Sequence, residues 1–257
     1  MKYLLRKGIK YFVVLLLLAS LIFSVAAGGS YAVYTFGVKP NRKLPVYRVE
    51  REDDLISISF DCAWGTEYTD AILDALDFYQ VKCTFFAVQF WVEKNPEFVK
   101  KISERGHEIG THSATHSHMS TLSESAIIEE LESSRKAISE ITGKEVTLFR
   151  APFGEYNDTL INAASAMGLQ TAQWDVDSLD WKDLSAEQIA GRVISRVRSG
   201  SIILCHNNGL HTAESLPLIF TALKEKGFEF RPIGQLIYKD NYEILPDGTQ
   251  RKVTDNS

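Results

Sequence analysis

The 257-residue sequence contains few of the residues that mark unusual classes of protein. Its three cysteines are an odd number, so at least one thiol has no partner within the chain and a dense disulfide framework is excluded. Seven prolines and 16 glycines leave no room for a long low-complexity linker. With 45% hydrophobic and 24% charged residues, the composition is typical of a folded protein and excludes a disordered or fibrous chain.

Basic residues are scarce outside the amino terminus. Four of the 28 basic residues and none of the 33 acidic residues lie in the first 36 positions, so the remaining chain has a net charge of −9. A body this acidic repels phosphate groups, which argues against a nucleic-acid partner. A neutral substrate, such as a glycan, suits this charge better.

The amino terminus carries a long uncharged stretch over residues 11–36, with its most apolar part at 12–23. A membrane-spanning helix needs about 20 apolar residues, so residues 1–36 are predicted to be a membrane anchor or a signal segment. An anchor would attach the protein to the cell membrane through residues 11–36, whereas cleavage near 24–28 would release it. The basic residues before this stretch place the rest of the chain outside the cytoplasm.

Residues 37–54 are polar, contain two prolines and predict a stalk. Beyond them, apolar runs of strand length alternate with segments of helical period. The predicted strands are 55–61, 83–88, 107–111, 147–150, 171–175, 201–206 and 229–232, and the predicted helices are 68–79, 96–105, 124–142, 157–167, 186–198 and 213–226. This alternation predicts an α/β fold over 55–240, a distorted (β/α) barrel with about seven parallel strands, followed by a polar tail over 241–257.

Histidines are concentrated in one short segment, because four of the six lie between residues 107 and 118. His112 and His116 are four residues apart, and a single helical turn would point both imidazoles at one metal ion. Two ligands are an incomplete zinc site. Further ligands are expected at the carboxyl ends of the other strands, where the functional loops of parallel barrels lie.

Other ionisable residues also end or follow predicted strands. Asp61 ends the first strand and is a candidate general base, with Arg150 available to keep it ionised. His206 ends a later strand and is a candidate general acid if an acidic residue such as Asp177 lies beside it. Each of these residues alone is compatible with an ordinary surface or core position, but their shared location at strand ends indicates a functional site.

Five ordered segments carry a family resemblance. They are SFDCAWG (59–65), HSATH (112–116), RAPFG (150–154), DSLDW (177–181) and LCH (204–206). Together they resemble the motifs of the polysaccharide deacetylases, which share the NodB homology domain and form carbohydrate esterase family 4. The resemblance covers about residues 54–238 and is greatest to the membrane-anchored, sporulation-associated type that acts on the bacterial cell wall.

The resemblance implies an activity and a role for each matching polar residue. Family members hydrolyse the acetamide of N-acetylhexosamines with a divalent metal, for which zinc is expected here. Asp61 matches the base and Arg150 the arginine that orients it, while His112 and His116 match the metal-binding pair. His206 matches the histidine that protonates the leaving amine.

The remaining matches concern the substrate groove. Pro152 and Phe153 match a groove wall whose backbone N–H helps to hold the oxyanion. Trp181 matches an apolar wall around the acetyl methyl group, and Asp177 matches an acid that tunes the histidine of the last motif. Trp64, which flanks the first motif at a strand end, is a further candidate for sugar contact.

Cys62 departs from the family pattern. Most members have a second aspartate here, which is the third metal ligand. A thiolate binds zinc with a bond of about 2.3 Å, close to that of a carboxylate, so Cys62 is one candidate ligand. The alternative is that Cys62 is a small buried hydrophobe, as free cysteines often are.

The sequence therefore predicts a metal-dependent hydrolase that removes N-acetyl groups from a cell-wall polysaccharide, with peptidoglycan as the first candidate. The alternative is a catalytically weak or inactive glycan-binding protein of the wall. Retention of a base, its arginine and an acid favours the enzyme, since a binding module needs none of them. Chitin is not excluded as the glycan.

Overall fold

The structure, a computed structural model, describes residues 42–253. The predicted membrane segment lies outside the described residues. Within them, no helix combines the length and the apolar character that a membrane crossing requires.

Eleven strands and eight α-helices lie in the described part of the chain. The strands are β1 (Arg48–Val49), β2 (Leu55–Cys62), β3 (Thr84–Ala87), β4 (Glu108–Thr111), β5 (Leu148–Phe149), β6 (Gln170–Thr171), β7 (Val176–Asp177), β8 (Ile202–His206), β9 (Glu229–Phe230), β10 (Tyr242–Ile244) and β11 (Thr249–Lys252). The helices are α1 (Thr69–Phe78), α2 (Gln89–Lys94), α3 (Pro96–Glu104), α4 (Glu124–Thr142), α5 (Asp158–Ala166), α6 (Ala186–Ile194), α7 (Thr212–Glu225) and α8 (Ile233–Leu236).

The main sheet is parallel and curled, with the order β6-β5-β4-β3-β2-β8-β7, and β9 pairs with the start of β2. The predicted barrel of about seven parallel strands is confirmed. One detail differs, because only Thr171 of the predicted strand 171–175 lies in a strand, at the end of β6, and β7 begins at Val176, at the opposite end of the order. The chain passes directly from one to the other through residues 172–175, so its first part pairs with β5 and its last part with β8.

Residues 46–49, here called the barrel strap, also belong to the barrel. The Val46 N–H donates to the Thr171 carbonyl at 2.9 Å, and the Val49 N–H donates to the Gly200 carbonyl at 2.9 Å. Both valines are buried. This part of the predicted stalk is therefore a piece of the fold, because two valines among polar residues provide enough apolar surface to seal the region between β6 and β8.

The predicted polar tail is ordered into strands as far as Lys252. Strand β10 pairs antiparallel with β11, and β11 pairs parallel with β1 in a separate small sheet. Gln250 is fully buried, and its side chain accepts from the Tyr238 N–H and donates to the Tyr238 carbonyl, both at 2.8 Å. Polar residues therefore form this element because their hydrogen bonds are satisfied within the fold.

The two faces of β2 explain how the sheet divides the core from the site. Ile56, Ile58 and Phe60 belong to the large apolar cluster that the helices cover. Ser59 and Asp61 lie between them in sequence, and successive strand residues point to opposite faces. The concave face of the sheet therefore carries the polar side chains, and the chain can present them at the carboxyl end of the barrel.

Helix ends are set locally, as the sequence indicates. Ser123 caps α4 by accepting a hydrogen bond from the Ala126 N–H at 3.3 Å, and Gly143 closes the helix in the left-handed conformation with φ of 65°. Ser185 and Gln188 form a reciprocal capping box at the start of α6. The caps at Ser123 and Gly143 set the two ends of α4. This helix packs against β4 and the loop that follows it.

Candidate active site

A cavity of about 510 Å³ opens at the carboxyl ends of the parallel strands. The residues that line it come from the ends of β2, β7 and β8 and from the loops after β4, β5 and β6. They are Asp61, Ala63, Trp64, His112, His116, Phe153, Trp174, Asp177, Trp181, Leu204, His206 and Asn208. Eight of the predicted site residues are in this set, so the structure brings distant parts of the sequence into one cleft.

Asp61 is held by a buried ion pair. Arg150, which directly follows β5 and is 0% exposed, donates from Nη1 to Asp61 Oδ1 at 2.7 Å and from Nη2 to Ser59 Oγ at 2.9 Å. The guanidinium also lies 4.1 Å from the centre of the Phe86 ring. Burial by itself would raise the pKa of Asp61, but the charge of Arg150, assisted by His112 and His206 whenever they are protonated, lowers it. The carboxylate is therefore ionised at neutral pH.

His112 has a fixed tautomer and orientation. Its Nδ1–H donates to the Arg150 carbonyl at 2.8 Å, which leaves the lone pair of Nε2 free to face Asp61 Oδ2 at 3.4 Å. Burial lowers the pKa of His112, although the charge of Asp61 opposes this effect. The ring is therefore neutral near pH 7 and presents a nitrogen lone pair to the cavity.

His116 approaches His112 through a loop, whereas the sequence predicted a helical turn. The ring centres are 5.0 Å apart, and both His116 and Ser113 adopt positive φ, 56° and 72°. Burial, followed by the neighbouring His112, lowers the pKa of His116 to about 4. The spacing of four residues thus brings the rings together by a sharp left-handed turn. This conformation is costly for residues other than glycine.

Cys62 is not at the metal-binding position that the sequence allowed for it. It is the residue after Asp61 on β2, so its side chain lies on the helix-covered face, fully buried in the apolar cluster with Phe60. Its Sγ lies 3.9 Å from the Phe60 carbonyl oxygen. Burial, with the nearby charge of Asp61, raises the pKa of the thiol well above its usual value. Of the two roles that the sequence allows for Cys62, a metal ligand or a small buried hydrophobe, the structure supports the second.

The donors present do not complete a metal centre. His112 and His116 offer two neutral nitrogens, as zinc requires, but catalytic zinc sites have three protein ligands. Among residues 42–253, no group of three or more histidine, cysteine or acidic side chains is placed to hold a metal ion. The described residues therefore supply two of the three protein ligands that a catalytic zinc site needs.

His206 pairs with Asp180 and not with Asp177, the acid that the sequence suggested. The His206 Nδ1–H donates to Asp180 Oδ1 at 2.8 Å, and its backbone N–H donates to Asp180 Oδ2 at 2.7 Å. Thr212 Oγ1 donates to the same Oδ2 at 2.6 Å. Burial alone would lower the pKa of His206, but the hydrogen bond and charge of Asp180 outweigh it and raise this pKa.

Asp177 has another position in the same cavity. Its Oδ1 accepts a hydrogen bond from the Leu179 N–H at 2.8 Å, which turns the chain after β7. Its charge is the smallest of the named contributions that raise the pKa of His206. The segment DSLDW contains both acids, and nothing in its pattern indicates which one is buried. Asp180 is fully buried, so the fold selects it as the partner.

Exposed aromatic side chains form the walls of the cavity. Trp64, Phe153 and Trp181 are each more than half exposed, although large apolar side chains are usually buried. Pro152 is buried beneath the wall and begins the short turn in which Phe153 has a φ of 59°. Trp174, which the sequence analysis did not select, also lines the cavity. Such walls suit the flat apolar faces of sugar rings.

Phe90 extends the wall beyond the cavity. Its ring centre lies 6.4 Å from that of Trp64, and it is partly exposed, whereas Phe85 and Phe86 are fully buried. The sequence groups all three in one apolar region. Only the position of Phe90 on helix α2, beyond the end of β3, separates it from the core phenylalanines.

The fold and the site together define a class: a curled parallel α/β barrel with an ionised carboxylate, two neutral imidazoles and an acid-paired histidine at its carboxyl end. The sequence profile described as "Polysaccharide deacetylase" matches residues 48–172. A peptidoglycan-N-acetylglucosamine deacetylase of Bacillus cereus is 33% identical over 196 residues, which cover 74% of this chain and 92% of the relative. The chain therefore belongs to the polysaccharide deacetylase family, carbohydrate esterase family 4.

The chain is also similar to two further proteins. A Bacillus subtilis protein called YlxY is 34% identical over 193 residues, which cover 75% of this chain but 60% of that protein. A solved Bacillus anthracis structure, described as a pseudoenzyme of the same family, is 32% identical with a TM-score of 0.73, over 81% of this chain and 70% of that one. A mutant of that protein is described as having restored enzymatic activity, with the same TM-score and 33% identity.

Proposed function

We propose that this protein is a hydrolase that removes N-acetyl groups from N-acetylhexosamine residues of a cell-wall polysaccharide, with peptidoglycan as the substrate. The observation that carries the proposal is the placement of two oppositely tuned groups in one cavity. Asp61 is kept ionised by Arg150, and Asp180 raises the pKa of His206 and so favours its protonated form. Pairs whose environments separate their pKa values in this way are typical of acid and base partners in catalysis.

The chemistry needs one proton removed and one delivered. Asp61 accepts a proton from water as the water oxygen attacks the acetyl carbon, which gives a tetrahedral intermediate. His206 then donates a proton to the sugar nitrogen, and the carbon–nitrogen bond breaks. The products are acetic acid, which loses its proton to solvent, and the free amine of the sugar. Asp61 then releases its proton to solvent and His206 takes one up, so both groups return to their starting state. The aromatic walls formed by Trp64 and Trp181 hold the ring in place.

A carboxylate with a lowered pKa is a weak base, so these residues alone predict a slow reaction. We propose that His112 and His116 bind a divalent metal, zinc in the first place, but weakly, because only two protein donors are available among the described residues. None of the steps above depends on this metal.

Acetate release from purified peptidoglycan tests the proposal. Asp61→Asn should abolish release, because the amide cannot accept the proton from water. Asp70→Asn is a matched control, since Asp70 is an exposed aspartate on α1 that pairs with Lys101 at 2.6 Å. Equal release by the wild-type protein and Asp61→Asn would reject Asp61 as the base, and chitin oligomers in the same assay would distinguish the two glycans.

A second candidate function is a glycan-binding wall protein with little or no hydrolysis. The incomplete set of metal donors favours it, and the Bacillus anthracis relative described as a pseudoenzyme is consistent with it. Glycan binding by Asp61→Asn equal to that of the wild type, with no acetate from either protein, would support this candidate.

We propose further that the protein works outside the cytoplasm, held at the cell membrane by residues 11–36, or secreted if that segment is cleaved. The likeness of its motifs to sporulation-associated relatives supports a role in wall remodelling during sporulation. Fractionation of cells, with the amino-terminal sequence of the recovered protein, tests the location and the cleavage. Appearance of the protein only in vegetative cells would contradict the role in sporulation.

A further inference from the structure

The loop that carries both imidazoles of the site has a strained conformation. Residues 112–118, here called the histidine loop, contain Ser113 and His116 in the left-handed region. Such residues return to ordinary conformations unless the surrounding structure holds them. Inside the loop, Ser113 Oγ accepts a hydrogen bond from the His116 N–H at 2.9 Å. The hydroxyls of Thr115 and Ser117 share a second bond inside the loop. The Gln89 N–H donates to the Ser113 carbonyl at 3.1 Å, and His118 Nδ1 lies 2.8 Å from Glu155 Oε2, so both ends of the loop are attached. None of these bonds holds the turn at Ala114 and Thr115 to the rest of the protein.

One carboxylate from helix α4 attaches it. Glu130 Oε2 accepts hydrogen bonds from the Ala114 N–H at 2.8 Å and the Thr115 N–H at 2.9 Å. Glu130 Oε1 accepts from Thr115 Oγ1 at 2.6 Å. Hydrogen bonds to an ionised acceptor are roughly twice as strong as those between neutral groups. Three of them meet on the two residues immediately before His116.

The same face of α4 also holds the start of the loop. Ser134, one turn after Glu130, is fully buried and shares a hydrogen bond of 2.6 Å with Thr111 at the end of β4. Thr111 Oγ1 also accepts from the Ser113 N–H at 3.2 Å. Helix α4 thus holds the histidine loop through Glu130 and holds the strand end before it through Ser134. These two residues lie on one side of the helix because they are four positions apart.

Glu130 does not line the cavity of the candidate active site. It lines a neighbouring groove on the other side of the histidine loop. Any effect it has on the reaction must therefore pass through the loop. The position it controls is that of His116, whose ring centre lies 4.9 Å from that of Trp64 and 4.6 Å from that of Phe153.

We infer that Glu130 is a positioning residue that holds His116 in the site, an inference that rests on the proposed function only for its effect on rate. The carboxylate fixes the left-handed turn through Ala114 and Thr115, and the turn aims the imidazole between the two aromatic walls. Without it, the loop relaxes and His116 leaves its place beside His112.

The chain offers closely matched variants. Glu130→Gln keeps the shape and one carbonyl oxygen for the two backbone N–H groups, while its NH₂ group donates to Thr115 Oγ1, which is also an acceptor. Glu130→Ala removes all three acceptor contacts. Glu129→Ala, at the exposed neighbouring position, removes a carboxylate of the same helix and serves as the control for helix charge.

The first measurement uses the full chain, purified in detergent without added metal and labelled only in its six histidines. The ring resonances of His116 carry shifts from the nearby Trp64 and Phe153 rings. They should move and broaden in Glu130→Ala, return close to wild-type positions in Glu130→Gln, and stay unchanged in Glu129→Ala. His112, which is fixed by the Arg150 carbonyl, should keep its Nδ1–H tautomer in every variant, although its shifts should also respond to the loss of the His116 ring 5.0 Å away. An unchanged His116 resonance in Glu130→Ala would overturn the inference.

The second measurement is acetate release from peptidoglycan. His116 is one of the two metal donors of the proposed function, so this assay includes zinc. Displacement of a group in a site by about 1 Å can reduce rate about 100-fold, so the zinc-dependent part of kcat should fall steeply in Glu130→Ala. KM should change little, because Trp64 and Trp181 still hold the sugar, and Glu130→Gln should recover most of kcat. Equal loss in Glu130→Ala and Glu129→Ala would contradict positioning. If the wild-type protein releases no acetate, the proposed function fails, while the histidine resonances still decide the role of Glu130.

Discussion

Replacement of Cys62 by aspartate should create a metal site that the wild-type protein has only in part. In the parallel register, Cys62 lies opposite Ala87, and the His112 N–H donates to the Ala87 carbonyl at 3.0 Å. Position 62 is therefore about two strand spacings, roughly 9.6 Å, from the start of the histidine loop. An aspartate and an imidazole that share one metal ion can span this separation, but the new carboxylate must turn from the helix-covered face, where the Cys62 side chain lies, towards the cavity.

The cost of the substitution without metal follows from burial. Position 62 is fully buried, and a fully buried carboxyl has its pKa raised by up to about 3–5 units. Because the folded carboxyl becomes neutral once its pKa exceeds the pH, the loss is limited by the roughly three units between the unfolded pKa of about 3.9 and neutral pH. At about 1.36 kcal/mol per unit, Cys62→Asp should lose about 4 kcal/mol of unfolding free energy near neutral pH. The adjacent charge of Asp61 acts in the same direction. Zinc at 1,000 times its dissociation constant should restore about 4 kcal/mol.

Urea unfolding of the full chain, with zinc and with a chelator, measures both numbers. Cys62→Asn has the same shape without the charge, so it should show no zinc-dependent gain beyond that of the wild type. Adding His116→Ala to Cys62→Asp should remove most of the gain. Equal zinc dependence in the wild type and Cys62→Asp would refute the reasoning, and it would mean that position 62 cannot reach the imidazoles.

Two further predictions concern the acid and the barrel closure. The raised pKa of His206 keeps the acid protonated below a value that exceeds 6.5, so kcat should fall as pH rises through that value. Asp180→Asn should lower the pKa of His206 and so shift this limb of the pH–rate profile to lower pH, and Asp177→Asn should shift it less. The ion pair should also stabilise the fold fully below pH 6.5 and lose its effect as pH rises through the folded-state pKa, so the difference in unfolding free energy between wild type and Asp180→Asn should shrink there. Gly200→Ala should destabilise the fold by more than about 2 kcal/mol in urea unfolding, because its φ is 76° and a Cβ would lie 1.7 Å from a backbone oxygen of the barrel strap. Gly191→Ala, in open space on helix α6, should instead add about 0.5–1 kcal/mol, and equal effects of the two glycine variants would contradict this account.

The sequence predicted the barrel because its signals are local. Alternating apolar runs and helical periods identify the elements, and parallel strands then place Asp61, His112 and His206 at one end. The error at residues 171–175 has the same origin. Periodicity shows that a segment is extended, but the neighbour with which each half pairs depends on how far the sheet curls.

Two polar segments were missed because their order depends on distant partners. The barrel strap is stabilised by hydrogen bonds to residues more than 100 positions away, such as that from Val46 to Thr171. Strand β11 is stabilised in part by the contacts of Gln250 with Tyr238. Composition alone makes both segments resemble solvated linkers, since it does not record which polar groups find partners.

The site shows which questions a motif can answer. The segment DSLDW contains two acids, and the partner of His206 is decided by a three-dimensional fact, the burial of Asp180 beside Thr212. The segment SFDCAWG places Asp61 and Cys62 side by side, but strand alternation sends one to the cavity and the other to the core. The acid and base thus remain in place, while the position next to the base has become part of the apolar packing. A protein can lose a metal ligand in this way without losing its fold, because a buried thiol is a better core residue than an unpaired carboxylate. If position 62 is a metal-ligand position, as the family resemblance implies, unfolding free energy and zinc affinity should change in opposite directions when it is varied between cysteine and aspartate.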